Sequence, residues 1–492
     1  MRDDEIQARL REVNPWWRAA AAGLDPASWA ADDRVLRDRA RYDLGYRAGV
    51  LRDVAAKPPD DTLIVLRGPR RVGKSVVLKD AVLALCGRPD VDPRQIVYLP
   101  ADGMRAKDLG RAIALGRALT RSVDQPAARL RVWLLDEVTS IDGWTTTIKY
   151  VRDNSVFGEE TVVCTGSSWS QTGDVERDLL AGRAGRSSVR RSRLLLPMSF
   201  RDFAEVTADQ IPVPVAVPPW DLQGPETAAA AVALEPFTDE LDLAWQAYLT
   251  SGGFPRAVSE HHKTGAVSES FMRDIASWLH IDVDREAPVD SVPLLTAELH
   301  ARSTSPLNRT KTAESLGYQT RNAFDLRLNR LVRSYGALWA HQVNDSGHRV
   351  AGSQSKLYLA DPLLAWIGTA LRAGAPEPDM TALAEEAIAV ALAASIDSRQ
   401  PGRWMAGDTI GYVRTTSGQE IDFAPVAVPG PNGSEWTTPT EVKWVSDGWR
   451  AEARTIEGRY HRGIVATKSI TRLDTPAWAI PAPLLALLLA QP

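Results

Sequence analysis

The stretch Gly68-Pro69-Arg70-Arg71-Val72-Gly73-Lys74-Ser75 decides the fold. It fits the phosphate-binding loop pattern G-x-x-x-x-G-K-[ST]. Just before it runs Thr62-Leu63-Ile64-Val65-Leu66, a continuous apolar run of the fully buried, parallel-strand type. Just after it the spacing predicts a helix over 75–85. The motif needs this order of strand, loop and helix. Successive backbone N–H groups of such a loop, with the helix N-terminus, form an anion hole for phosphate. Lys74 is expected at the β/γ oxygens and the Ser75 hydroxyl on Mg²⁺, with Gly68 through Val76 around the nucleotide. The plainer reading is a Gly-rich turn that caps a helix.

Outward from the loop, buried-strand runs recur at Ile96–Leu99, Val132–Leu135 and Thr161–Cys164, separated by helical patterns such as Leu109–Leu119. Strands alternating with helices predict a parallel sheet covered on both faces. Asp136-Glu137 ends the third run, at the carboxyl edge where open α/β sheets bind ligands. Asp136 is expected to hold Mg²⁺ through its water shell and Glu137 to orient the attacking water. Two carboxylates capping the next helix is the alternative. Thr165-Gly166-Ser167-Ser168 ends the fourth run in hydroxyl residues. One hydroxyl, taken as Thr165, is expected to sense the γ-phosphate or help place the water. An ordinary N-capped turn is the other reading.

The chain has 492 residues, which at ~100–200 per domain suggests several domains. A charged fraction of 24 % and a hydrophobic fraction of 44 % exclude a disordered chain or a membrane-embedded bundle. The formal net charge of −4 gives no global attraction for nucleic acid, so such contact must come from a local basic patch. Only 10 of the 58 basic residues are Lys, so each Lys raises the question of what Arg could not do there. With Cys86 and Cys164 alone there is no disulfide framework, and the first residues carry no apolar signal region. A cytoplasmic protein without membrane contact is expected.

The motifs together resemble a family. The phosphate loop, Asp136-Glu137 with Gly143-Trp144, and Thr165–Ser168 occur in that order. They are followed by Leu180-Ala-Gly182-Arg183, Leu196-Pro-Met-Ser-Phe200-Arg-Asp-Phe203 and Gly252-Gly-Phe-Pro255-Arg256. The series resembles the prokaryotic AAA-type P-loop ATPases whose C-terminal domain of unknown function has a restriction-endonuclease-like fold. Asn14-Pro-Trp-Trp17 is similar to the start of many such chains. The resemblance implies that Arg256 reports on the γ-phosphate from a helical lid, the alternative being a surface helix residue. It also implies that Arg183 or Arg186, in an Arg-rich loop with Arg190, Arg191 and Arg193, acts as an arginine finger in cis or across a subunit contact. A solvated basic loop is the plainer reading.

Beyond the lid, Thr310–Gly317 and Thr320–Tyr335 read as helix, turn, helix. Phe324, Leu328, Leu331 and Val332 form a buried stripe, and Arg321, Arg327, Arg330 and Arg333 add positive charge. Ala337–Gln342 and Lys356–Leu359 are expected as the strands of a wing. A winged helix can place its second helix in a DNA major groove. Packing as a lid extension or a subunit contact is the other use. Further on, Asp422 and Glu441-Val442-Lys443 resemble the nuclease core named for Asp and Glu/Asp-x-Lys. Period 2 puts Glu441 and Lys443 on one face of a strand. Asp422 and Glu441 are then expected to share a second Mg²⁺ with Lys443 beside the attacking water, and Glu385 or Glu386 to add a further acid. In a degenerate nuclease-like domain the same groups pair structurally.

The expected fold is α/β: a P-loop NTPase parallel sheet with a helical lid, then a winged helix and a small α/β nuclease-like domain. The expected divisions are a helical N-terminal segment (1–60), the ATPase core (61–209), a Pro/Ala-rich linker or insertion (210–236), the lid (237–287), the winged helix (288–372) and the nuclease-like domain (379–492). The expected partners are ATP, double-stranded DNA and further copies of the chain through the ATPase core. The leading expectation is an Mg²⁺-dependent ATPase whose nucleotide state controls a DNA-binding, nuclease-like half. A slow switch that recruits protein partners, with an inactive nuclease-like domain, is the alternative.

Overall fold

The computed structural model describes residues 1–120, 131–167, 190–288, 290–414, 418–431 and 433–489. The chain divides into two compact units, Met1–Asp43 with Arg47–Leu195, and Leu44–Tyr46 with Leu196–Pro492. Among the described residues no helix is long and apolar enough to cross a membrane.

The first unit is built on five parallel strands: β1 (Thr62–Arg67), β2 (Ile96–Pro100), β3 (Val132–Asp136), β4 (Thr161–Gly166) and β5 (Ser192–Leu194). Their order is β2-β3-β4-β1-β5, so β4 lies between β1 and β3. The carboxyl ends that carry the phosphate loop, the acidic pair and Thr165 are therefore neighbours. Helices Lys74–Cys86, Ala106–Leu119 and Trp144–Asn154 follow β1, β2 and β3. Leu109, Ala112, Ile113 and Ile148 from these helices pack on Val97, Leu99, Trp133, Leu135 and Val162 of the sheet. The N-terminal helix Asp3–Val13 joins the same core through Ile6 and Leu10. Both cysteines are buried free thiols.

The second unit begins with helices. Within residues 211–236, read from sequence as a linker or insertion, Pro225–Leu234 is a helix that buries Thr227, Ala230, Ala231 and Leu234. A run of Ala has no polar signal to mark a helix, yet Ala is the best helix former and packs closely. Helices Thr238–Ser251, Pro255–Thr264 and Glu269–Val283 follow, then Ser291–His300, Arg309–Ser315 and Arg321–Arg333.

Strands β6 (Ala337–Gln342) and β7 (Ser355–Leu359) pair antiparallel, as a wing would. β6 also pairs in parallel with β8 (Ile410–Arg414), which pairs with β9 (Glu420–Ile421). The hairpin thus belongs to a four-stranded sheet β7-β6-β8-β9 spanning segments that periodicity treats separately. β10 (Ala427–Gly430) and β11 (Gly433–Trp436) form a hairpin, and β12 (Thr440–Val442), β13 (Gly463–Thr467) and β14 (Ala477–Pro481) a parallel sheet. The helix Met380–Arg399 carries Glu385 and Glu386, both buried. The tail helix Ala482–Leu488 is buried along its whole length.

Candidate functional site

The phosphate loop is shaped by its glycines. Gly68 has φ +151°, and a Cβ there would lie 1.9 Å from the Leu195 carbonyl oxygen, so a side chain is excluded. Gly73 adopts φ +96° just before the helix Lys74–Cys86, a conformation glycine takes without steric cost. Val72 is buried beneath the loop, Arg70 and Arg71 are exposed, and Ser75 and Val76 are half-buried. The Lys74 side chain is only 4 % exposed. Its Nζ donates to the carbonyls of Gly68 (3.1 Å) and Pro69 (2.8 Å) and lies 3.9 Å from Glu137 Oε1. The ammonium is thus held under the loop, facing the first acidic pair.

Both oxygens of the buried Asp136 carboxylate accept hydrogen bonds. Thr165 Oγ1 donates to Oδ1 at 2.6 Å, and the Tyr98 hydroxyl donates to Oδ2 at 2.8 Å. The Glu137 backbone N–H donates to the same Thr165 oxygen (2.9 Å), and Ser167 donates to Glu137 Oε2 (3.2 Å). Glu137 itself has φ +54°, a strained conformation for a non-glycine residue. Thr165 therefore ties the Asp136 carboxylate to the Glu137 backbone. Burial, reinforced by Asp136, raises the Tyr98 phenol far above its ordinary range, so it remains a donor. Tyr98 was invisible to motif reading, since it lies inside the apolar run of β2.

Residues 60–204 match a family model described as an AAA domain. The match takes in the phosphate loop, the acidic pair and Thr165, so this part of the chain is similar to AAA domains. Two solved structures are similar at low identity. One is a Walker-type ATPase of Pyrococcus abyssi, with 14 % identity and a TM-score of 0.37, covering 62 % of this chain and 91 % of that one. The other is a DNA polymerase III gamma subunit-related protein of Thermotoga maritima, with 10 % identity and a TM-score of 0.25, covering 58 % and 98 %. No curated protein matches.

In the first unit, the finger candidates Arg183 and Arg186 lie outside the described residues. Arg193, from the same Arg-rich stretch, is a structural anchor. Its guanidinium makes two bonds to Asp53, at 2.6 and 2.7 Å, and others to the Val50 and Arg190 carbonyls. Arg256 belongs to the second unit, on the helix Pro255–Thr264. Its Nε donates to Glu260 (2.7 Å), its Nη1 lies 3.6 Å from Asp274, and the guanidinium covers the Phe271 ring. Nearby, the buried Asp361 accepts from the backbone N–H groups of Gly253 and Leu363, and burial pushes its carboxyl up to about 7.

The second constellation also forms, with an added member. Asp422 N–H donates to Glu441 Oε2 (3.0 Å) and Val442 N–H to Asp422 Oδ2 (3.1 Å). Lys443 Nζ lies 3.6 Å from Glu441 and 3.7 Å from Glu452. Sequence reasoning missed Lys356. Its side chain is fully buried, with Nζ 2.7 Å from Glu420, 2.9 Å from Asp422 and 3.1 Å from Glu385. Tyr358 donates to the same Glu385 oxygen at 2.7 Å. Although burial pulls Lys356 down, Asp422 and its neighbours hold the ammonium well above its ordinary range. Burial and then Asp422 push Glu385 up to about 7 and Glu441 well above the carboxylate range. Glu386 faces the other way, onto His300 at 3.2 Å. Among the described residues no group of three or more His, Cys, Asp or Glu is arranged to hold a metal ion. The scarcity of Lys was the one available signal for Lys356.

The positive face expected of helix Arg321–Arg333 is divided: Arg327 and Arg330 bond within the unit, while Arg321 and Arg333 are exposed. Arg327 pairs with Asp284 (2.8 Å), Arg321 with Asp325 (3.4 Å), and Arg330 donates to the Val283 carbonyl.

Proposed function

We propose that the chain is an Mg²⁺-dependent ATPase that works as a nucleotide-controlled switch, with a C-terminal unit that recruits a protein partner without cutting nucleic acid. The observation that carries the ATPase reading is the convergence of Lys74, Asp136, Glu137 and Thr165 at one sheet edge. The loop N–H groups and Lys74 hold the β- and γ-phosphates and neutralise charge that builds on them. The hard oxygens of Ser75 and Asp136 fit Mg²⁺, which when bound supplies further neutralisation of the phosphate oxygens. Glu137 orients a water for in-line attack on the γ-phosphorus. A bond from the water oxygen to phosphorus forms as the water gives a proton to the Glu137 carboxylate, the bond to the bridging oxygen breaks, and ADP leaves. In the full chain, Glu137→Gln should keep ATP binding and lose about 10²-fold or more in phosphate release. Wild-type turnover in that variant would remove the role given to Glu137.

The non-cleaving reading of the C-terminal unit is supported by Lys356, which puts an ammonium among the acids that a divalent ion would need. Plasmid incubated with the protein and Mg²⁺ or Mn²⁺ should stay intact in every nucleotide state. Nicking that disappears in Asp422→Ala and Glu441→Ala would restore a metal-dependent nuclease. A protein rather than DNA as the partner is supported by the inward pairing of Arg327 with the buried Asp284. Labelled duplex DNA should therefore show no saturable anisotropy change at physiological salt, and saturable binding would return DNA as the partner.

A further inference from the structure

Strand β2 is an edge of the parallel sheet, and the N-terminal segment covers it at alternate residues. The Asn14 side-chain amide pairs with both backbone groups of Tyr98. Oδ1 accepts from Tyr98 N–H (2.7 Å) and Nδ2 donates to the Tyr98 carbonyl (2.9 Å). Two residues earlier, the indoles of Trp16 and Trp17 both donate to the Ile96 carbonyl, at 2.9 and 2.8 Å. Alternate residues of an edge strand point their backbone groups outward, so these contacts satisfy the exposed edge as another strand would.

The same strand sends the Tyr98 side chain to the ATPase site. Its hydroxyl donates to Asp136 Oδ2 from the neighbouring strand, while Thr165 holds the other oxygen. The Tyr98 ring is itself fixed from above. Lys79, a buried residue of the phosphate-loop helix, places Nζ 4.0 Å from the Tyr98 ring centroid and 5.1 Å from that of Trp29. Its charge is paired with Asp33 at 2.9 Å. Trp29 in turn packs on Trp16, with ring centroids 5.1 Å apart. Contacts therefore run without a break from the segment 14–33 to the carboxylate at the nucleotide site.

We propose that Tyr98 is a positioning residue for Asp136, and that the N-terminal segment holds Tyr98 in register by pairing through Asn14. The proposal rests on the ATPase reading above and extends it to a segment that no nucleotide motif includes. A carboxylate with both oxygens held in fixed bonds presents its remaining lone pairs in one direction, which tightens the Mg²⁺ shell it supports. Loss of one of these bonds lets the carboxylate rotate. Mg²⁺ coupling should suffer while the phosphate loop still binds nucleotide.

The test measures the affinity of the full chain for a fluorescent N-methylanthraniloyl ATP, in EDTA and in Mg²⁺. Tyr98→Phe keeps the ring and removes only the hydroxyl. It should bind the nucleotide as wild type does in EDTA, and lose about tenfold of the affinity gained on adding Mg²⁺. The Mg²⁺ concentration for half-maximal turnover should rise by a similar factor, with little change in KM for Mg-ATP at saturating metal. Asn14→Ala should reproduce the defect at smaller size. A wild-type Mg²⁺ gain in Tyr98→Phe overturns the positioning role, and a wild-type gain in Asn14→Ala overturns the anchoring role. If wild type binds the nucleotide in neither condition, the ATPase reading itself falls and takes the proposal with it.

Discussion

Lys356 Nζ lies 2.9 Å from an Asp422 oxygen inside the second unit, with Glu420 and Glu385 completing its surroundings. One ammonium serves three carboxylates, and a Lys rather than an Arg suits a small space entered by several oxygens. Removing it strands buried negative charge. Lys356→Met should destabilise the second unit by about 3–5 kcal/mol, read as a shift of its urea transition. An unmoved transition would contradict the ionic core.

The proton balance of that cluster predicts a pH dependence. Glu385 is raised from its ordinary value to about 7, chiefly by burial and then by Asp422. Between the unfolded value and about 7 the native state holds a proton that the unfolded chain has lost, so stability falls as pH rises through this window. Glu385→Gln removes that slope. The Tm of wild type minus that of the variant should therefore drop by roughly 2–4 °C between pH 5 and pH 7.5. A constant difference across that range would refute the buried proton.

Thr165→Val keeps the shape and deletes the hydroxyl shared by Asp136 and the Glu137 backbone. Phosphate release should fall by about 10–100-fold while nucleotide affinity in EDTA stays near wild type. Equal turnover would mean that the Asp136 carboxylate is oriented without Thr165.

Arg193 offers a contrast between structural and transition-state roles. Its two bonds to Asp53 predict that Arg193→Lys destabilises the first unit by about 1–2 kcal/mol while leaving turnover per folded molecule unchanged. A loss on the order of 10³-fold in turnover would instead mark it as an arginine finger.

What could be read from the residues was local. The run ending at Leu66, the loop to Ser75 and the acids after β3 are contiguous patterns whose spacing alone implies strand, turn and helix. Alternation put Glu441 and Lys443 on one strand face, whereas the approach of Asp422 to Glu441 was implied only by the resemblance to a nuclease core. Lys356 was not. A single Lys in an alternating strand reads as solvent-facing, and two of its partners lie 29 and 66 residues further along the chain. Tyr98 stayed hidden for a related reason: in a fully apolar run its hydroxyl has no partner until the register of β2 and β3 is known. The pairing of Arg327 with Asp284, which lies before the module, was not legible because the two are 43 residues apart. Pairing of β6 with β8 joins segments about 70 residues apart, which no window of periodicity spans.

The most direct test of the central claim is steady-state phosphate release from ATP by the full chain in Mg²⁺, comparing wild type with Lys74→Ala. Lys74 is buried under the loop with its ammonium turned to the Gly68 and Pro69 carbonyls. Turnover is expected in wild type, with a loss of about 10²-fold or more in the variant. Turnover of the Lys74→Ala protein at the wild-type rate would contradict it.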